Sequence, residues 1–164
     1  MLYIFICEDE EFQLNYIKKM IAEYIAQKKI DAQIVAAKKN PKDILAQLED
    51  CYQPAVFFID VQLDGYDMDG FGLARRLKER NSKYSIVFLT SNSHVAYKVF
   101  EYHLEILDYI VKKPEYFRQK MIDGCLMKRL DDIFGKLESL CNKSQKSCIA
   151  VSFGGKLIDI ILED

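Results

Sequence analysis

The sequence predicts an α/β protein with a doubly wound, five-stranded parallel sheet and helices on both faces. Two observations support this fold class. Short, continuously apolar runs alternate with longer amphipathic stretches, which is typical of a parallel sheet buried on both sides. Acidic, hydroxyl or basic residues follow most of the apolar runs, as expected where parallel strands end at one edge and form a binding crevice.

Five apolar runs are predicted as strands. The first and third are the most continuously apolar, and the second is the weakest. In chain order the predicted strands are Leu2–Cys7, Ala32–Ala37, Ala55–Ile59, Tyr84–Thr90 and Leu107–Val111. Right-handed crossovers between them predict the strand order 2-1-3-4-5 of a flavodoxin-like fold.

Helices are predicted between the strands. The first carries apolar residues at helical spacing from Leu14 to Ile25, and Pro41 suits the first turn of a short second helix. An apolar stripe that begins at Phe71 marks the third helix. A fourth helix is predicted over about 94–103, and a long final helix begins at Pro114.

The final helix carries leucine and isoleucine in steps of four and three. The residues in this pattern are Leu126, Leu130, Ile133, Leu137 and Leu140. Two interpretations remain open. The stripe packs on the sheet, or the helix outruns the domain and pairs with a partner helix.

The pattern changes beyond the final helix. We predict a first domain over residues 1–141, a linker over 142–147 and a β-hairpin within 148–164. Strand-like runs at 147–153 and 156–162 flank Gly154-Gly155, a turn signal. A lone hairpin is marginal in water, so we expect this segment to begin a second domain.

The composition excludes several classes of protein. The chain has 164 residues, of which 50% are hydrophobic, enough for a globular core. Its net charge of −2 argues against direct nucleic-acid binding by this part. No apolar run reaches the length of a membrane span. Five scattered cysteines and two histidines disfavour a zinc site, and we expect a cytoplasmic protein.

Polar side chains follow four of the predicted strands. Glu8 and Asp9 follow the first, Asp60 the third, Thr90 ends the fourth and Lys112 follows the fifth. The first and third strands flank the switch point of the sheet, so the three carboxylates should meet in one crevice. Oxygen ligands favour magnesium, and a carboxylate beside that ion can attack phosphorus. Thr90 and Lys112 would then balance the phosphoryl oxygens.

These motifs resemble the receiver domain of response regulators over about residues 2–125. They are Ile6-Cys7-Glu8-Asp9-Glu10, Phe57-Phe58-Ile59-Asp60, Phe88-Leu89-Thr90-Ser91 and Asp108-Tyr109-Ile110-Val111-Lys112. Cys7-Glu8-Asp9, Asp60-Val61-Gln62-Leu63 and the terminal hairpin are similar to the LytTR, Agr-type branch of that family. The hairpin would then be the start of a LytTR DNA-binding domain whose remainder is absent from this chain.

The resemblance implies a phospho-acceptor and a magnesium site. Asp60 would accept a phosphoryl group from a sensor histidine kinase. Asp9 would bind Mg²⁺ directly and Glu8 through water, and Asp60 and the backbone carbonyl of Gln62 would complete the protein ligands. Such a protein is a switch and not an enzyme, because it catalyses only its own phosphorylation and dephosphorylation.

The resemblance also implies a switch and an output surface. Thr90 would bind the phosphoryl group and follow it, Lys112 would pair with it, and Tyr109 would turn inward or outward with the phosphorylation state. The face formed by the fourth predicted helix, the fifth strand and the final helix would control homodimerisation and transcription. DNA would be contacted only through the C-terminal domain, and no membrane would be involved.

The sequence departs from the common receiver pattern at two places. Glu8 stands where many receivers carry aspartate. The loop after Asp60 lacks the usual proline, is rich in aspartate, and places Gly70 ten residues after the acceptor, two later than is common. This longer loop over 61–69 could alter access to the phosphate and therefore its lifetime.

Three other functions occur on similar folds and predict different residues at this edge. A magnesium phosphohydrolase would need a second aspartate two residues after the first, and Gln62 stands there. A nucleotide- or flavin-binding module would need donors after the first strand, where 8–11 is instead acidic. A receiver that no longer phosphorylates and acts only through protein contacts stays open as an alternative.

Overall fold

The computed structural model describes residues 1–48, 52–91, 104–112, 123–146, 148–153 and 156–161. Within these ranges lie seven strands and four helices. In chain order they are β1 (Leu2–Cys7), α1 (Glu11–Lys28), β2 (Ala32–Lys38), α2 (Pro41–Ala46), β3 (Ala55–Asp60), α3 (Gly70–Arg80), β4 (Ser85–Thr90), β5 (Asp108–Val111), α4 (Asp123–Lys146), β6 (Cys148–Phe153) and β7 (Lys156–Ile161).

The main sheet has five parallel strands in the order β2-β1-β3-β4-β5. The predicted fold class and strand order are confirmed. The helix predicted over about 94–103 and the predicted start at Pro114 lie outside the described residues. The register aligns Cys7 with Ile59 and Thr90 with Val111, so the strands end at one edge of the sheet.

Aromatic side chains fill one face of the sheet, beneath α2 and α3. Phe5 and Phe57 stack with ring centroids 4.7 Å apart, and Phe71 of α3 lies 5.0 Å from Phe88. Asn40 begins α2 by accepting a hydrogen bond from the Lys42 N–H at 2.9 Å. This face therefore supports the end of β3 that carries Asp60 with closely packed side chains.

The opposite face packs against α1 and α4. Leu130, Ile133 and Leu137 of α4 are buried there. The Tyr24 hydroxyl of α1 donates to Asp131 Oδ1 at 2.8 Å, which ties the two helices together. These three residues of the stripe therefore pack on the sheet, as the first interpretation predicted, whereas Leu140 is exposed.

The C-terminal part of α4 overlaps the predicted linker over 142–147. The helix continues through residues 142–146, and Leu140 is 48% exposed. Because a linker can be helical, the linker over 142–147 stays a prediction.

Two further strands follow α4. β6 and β7 pair antiparallel, with Phe153 opposite Lys156, and confirm the predicted hairpin. Among the helices that the structure describes, none combines the length and apolar composition needed to cross a membrane.

Candidate functional site

Three carboxylates meet at the carboxyl edge of the sheet. Glu8 and Asp60 are buried and Asp9 is half-buried. One carboxylate oxygen of each lies within 4.8 Å of those of the other two. The structure thus brings together the carboxylates that the sequence predicted.

Backbone hydrogen bonds fix the two strand ends that carry these residues. The Glu8 N–H donates to the Lys38 carbonyl at 3.2 Å, and the Val61 N–H donates to the Leu89 carbonyl at 3.0 Å. The Gln62 N–H donates to Asp60 Oδ1 at 3.1 Å. Asp60 is therefore oriented by its own loop.

Lys112 lies between the buried carboxylates. Its Nζ is 2.7 Å from Glu8 Oε2 and 2.5 Å from Asp60 Oδ2. The third acceptor is Gln13 Oε1, at 2.8 Å. An ammonium has three N–H donors, and all three are used here. The Lys112 side chain is only 4% exposed, so this arrangement is almost fully shielded from water.

Burial shifts the ionisation of the groups around this edge. Burial raises the pKa of Glu8 to about 7, although the charge of Lys112 opposes the shift. The pKa of Asp60 is also raised by burial and opposed by Lys112. Burial raises the pKa of the Cys7 thiol to about 12, so this cysteine stays protonated and is a poor nucleophile.

Thr90 and Tyr109 lie beside the carboxylates. Thr90 is fully buried, and Tyr109 is half-buried and packs against the aromatic side of the core. Burial raises the pKa of Tyr109, whose side chain is hydrogen-bonded to Thr90, and the charge of Asp60 adds to the increase. The Tyr109 side chain is thus in contact with the threonine.

The longer loop over 61–69 is anchored in the core. Val61, Leu63 and Met68 are buried. The Asp64 N–H donates to Asp9 Oδ2 at 3.2 Å, so the loop also holds one of the site carboxylates. The extra length is therefore an ordered wall of the crevice.

Gly70 ends this loop close to β3, the strand that carries Asp60. Its N–H donates to the Val61 carbonyl at 3.0 Å. A Cβ at this position would collide with the Asp60 carbonyl oxygen and lie 2.8 Å from Val61 Cα. Only glycine lets α3 begin this close to Asp60, although the loop that precedes it is longer than is common.

The donor set suits a hard divalent cation. Glu8, Asp9 and Asp60 offer carboxylate oxygens alone, which magnesium prefers. Two of these carboxyls have raised pKa values that a bound cation would lower. The residues present therefore fit Mg²⁺.

Sequence reasoning missed Gln13 and the backbone of Asp64. Gln13 lies in the first turn of α1, which begins after Asp9, and no spacing in the sequence indicates that it accepts from Lys112. The contact of Asp64 with Asp9 depends on how the loop folds, and no sequence spacing indicates it.

The fold and the site together define a receiver-type α/β domain. The family described as response regulator receiver domain matches residues 4–122. The chain therefore belongs to the response regulator receiver family.

Relatives and solved structures agree with this assignment. Accessory gene regulator protein A of Staphylococcus epidermidis is 27% identical over 162 residues, 98% of this chain and 66% of that protein. Its counterpart in Staphylococcus aureus is 32% identical over 124 residues, 75% and 51% of the two chains. The chain thus spans about half to two thirds of these relatives. The resemblance to Agr-type regulators is confirmed.

Two solved structures share the fold. The response regulatory domain of protein mrkE from Klebsiella pneumoniae has a TM-score of 0.62 at 23% identity, over 86% of this chain and 98% of that one. Response regulator TrrA from Thermotoga maritima, in complex with Mg(2+)-BeF, has a TM-score of 0.58 at 16% identity. The match covers 81% of this chain and 99% of that one.

Proposed function

We propose that Asp60 accepts a phosphoryl group from a sensor histidine kinase and that this chain is the switch domain of a two-component regulator. The observation that carries the proposal is the buried ammonium of Lys112, 2.5 Å from Asp60 Oδ2 and 2.7 Å from Glu8 Oε2. A lysine in this position can move from carboxylate to phosphoryl oxygen without leaving the crevice.

Glu8, Asp9 and Asp60 would hold Mg²⁺, together with the backbone carbonyl of Gln62. One carboxylate oxygen from each of the three side chains lies within 4.8 Å of the other two, and magnesium prefers oxygen ligands. Both observations support this role. When bound, the ion would neutralise the carboxylates and polarise the phosphoryl oxygens. The Mg(2+)-BeF complex of the Thermotoga relative supports the same ligand chemistry.

In the transfer step, a carboxylate oxygen of Asp60 forms a bond to phosphorus while the phosphorus–nitrogen bond of a phosphohistidine breaks. The electron pair of that bond returns to the imidazole, which keeps or takes up a proton. Lys112 and the Thr90 hydroxyl then donate to the phosphoryl oxygens. The protein's contribution is mainly position and charge, as is general for phosphoryl transfer.

Thr90 and Tyr109 would transmit the change to an output surface. Their hydrogen bond joins the phosphoryl site to β5. Asp108, the neighbour of Tyr109, accepts from Arg129 at 2.5 Å and from Lys136 at 3.0 Å, both in α4. A shift of Tyr109 would therefore be felt along α4.

The output would be homodimerisation through a face that includes β5 and α4, followed by control of transcription. DNA contact would belong to a LytTR domain that begins at the hairpin over 148–164. The domain boundaries 1–141 and 142–147 belong to this proposal. The Agr relatives, whose printed names are gene regulators, support it, and we place the activity in the cytoplasm.

The alternatives gain no support from the site. A receiver unable to take phosphate would lack one of the reacting side chains, and Asp60, Thr90 and Lys112 all lie at one sheet edge. A phosphohydrolase would need an acid where Gln62 stands, and the side chain of Gln62 is exposed. In the proposed function the protein catalyses only its own phosphorylation and dephosphorylation.

The test is phosphorylation by a small donor. The chain is incubated with Mg²⁺ and acetyl phosphate, and intact mass is compared with Asp60→Asn and with a sample containing EDTA. We expect one added phosphoryl group in the wild type with Mg²⁺ and none in the other two samples. Equal modification of the wild type and Asp60→Asn would overturn the proposal.

A further inference from the structure

Gln13 makes two hydrogen bonds at the edge of the crevice. Its side-chain oxygen accepts from Lys112 Nζ at 2.8 Å, and its side-chain nitrogen donates to Glu10 Oε2. The residue lies in the first turn of α1 and is half-buried. The amide is thus held at one end by Glu10 while its other end holds the lysine.

The three groups that accept hydrogen bonds from the Lys112 ammonium would have different roles in the proposed reaction. Glu8 and Asp60 are carboxylates that would also have to serve a divalent cation, and Asp60 would receive the phosphoryl group. Gln13 is neutral and has no such competing role. It is the one acceptor among these three that can keep its contact with Lys112 throughout the reaction.

We infer that Gln13 is a positioning residue that holds the Lys112 ammonium in the crevice while the carboxylates turn to the cation and the phosphoryl group. The inference rests on the proposed function and adds a residue to it. Because the amide carries no charge, it orients the ammonium without competing strongly with the phosphoryl oxygens for it. The Lys112 ammonium therefore stays in one position and can donate to the phosphoryl oxygens during the transfer.

The kinetic test uses Gln13→Met, which keeps the length of the side chain and removes the acceptor. Gln27→Met is the matched control, since Gln27 is exposed near the end of the same helix. With acetyl phosphate and saturating Mg²⁺, we expect a maximal phosphorylation rate about tenfold lower for Gln13→Met, the scale of one lost hydrogen bond.

A spectroscopic test reports on the lysine itself. A shielded, hydrogen-bonded ammonium exchanges its protons slowly and gives a proton–nitrogen signal in NMR, assigned here by its loss in Lys112→Met. We expect this signal in the wild type and in Gln27→Met, and its broadening or loss in Gln13→Met. Gln13→Glu combined with Glu10→Gln keeps an acceptor oxygen at the same reach and a neighbour that can donate to it. This double variant should retain the signal, which a general loosening of the fold would not allow.

The outcomes separate this inference from the proposed function. If the wild type is phosphorylated and Gln13→Met keeps both the wild-type rate and the ammonium signal, Gln13 does not position Lys112. Loss of the signal in the double variant Gln13→Glu with Glu10→Gln would overturn the inference as well. If the wild type itself takes no phosphoryl group, the proposed function fails, whereas the NMR comparison still decides the contact between Gln13 and Lys112.

Discussion

Lys112, directly after β5, donates a hydrogen bond of 2.5 Å to Asp60, the last residue of β3. Both side chains are buried, with 4% and 9% of their surface exposed. The lysine therefore supplies the positive charge that these carboxylates need in the cation-free protein. Cation binding must compete with it, so metal affinity, stability and phosphorylation are linked through one ammonium group.

Replacing Lys112 with methionine should destabilise the cation-free protein and strengthen Mg²⁺ binding. Glu8 and Asp60 would lose their buried counter-charge, at a cost of roughly 3 kcal/mol. Urea denaturation in EDTA measures this loss, and calorimetry measures the Mg²⁺ affinity. Lys42→Met is the control and should change stability little, because its ion pair with Asp67 is exposed. Equal Mg²⁺ affinity in Lys112→Met and the wild type would contradict the competition.

Glu8 should make the cation-free protein lose stability as pH rises. Burial raises its pKa from 4.5 to about 7, so between these values the folded protein holds a proton that the unfolded chain has released. The contribution to stability is full below the lower value and is lost as pH rises through the upper one. Urea midpoints in EDTA between about pH 5 and 8 should therefore fall more steeply for the wild type than for Glu8→Gln. Parallel curves would refute this assignment.

Gly70→Ala should damage the site through the backbone. The added Cβ would meet the Asp60 carbonyl oxygen and Val61 Cα, so the end of β3 or the start of α3 must move. We expect a loss of about 1–3 kcal/mol and a weaker response to Mg²⁺. Gly135→Ala is the matched control, because nothing lies within 4 Å of its Cβ position in the exposed part of α4. That change should stabilise the protein by up to about 1 kcal/mol. Similar effects of the two substitutions on urea midpoints would count against the close approach at Gly70.

The hydrogen bond between Thr90 and Tyr109 should appear as an energetic coupling. A double-mutant cycle with Thr90→Val and Tyr109→Phe isolates it, since each single change removes the same bond. We expect a coupling free energy of about 1 kcal/mol from denaturation midpoints. Additive effects would mean that the two side chains act independently.

Much of the fold could be predicted from the sequence, because buried positions are occupied by apolar residues in recognisable patterns. Strands covered on both faces are continuously apolar, as at Ala55–Asp60, where every residue is buried. The strand order then follows from the handedness of the crossovers. The carboxylates Glu8, Asp9 and Asp60 could be placed together for the same reason, since parallel strands end at one edge.

The remaining features depend on contacts that no periodicity encodes. Gln13 looks like any half-exposed helical glutamine until Lys112 is seen to donate to it. Residues 142–146 are all polar, so no apolar periodicity indicates that α4 continues through them. The hydrogen bond from the Asp64 N–H to Asp9 depends on the path of the loop over 61–69. Buried side chains at the two ends of that loop fix its path.

The most direct measurement locates the phosphoryl group. The chain is treated with Mg²⁺ and acetyl phosphate and then reduced with borohydride, which converts an aspartyl phosphate to homoserine, and the altered peptide is identified by mass spectrometry. The account predicts homoserine at position 60 in the wild type and at no position in Asp60→Asn. Homoserine at another aspartate, such as Asp9 or Asp64, or at no position in the wild type, would contradict it.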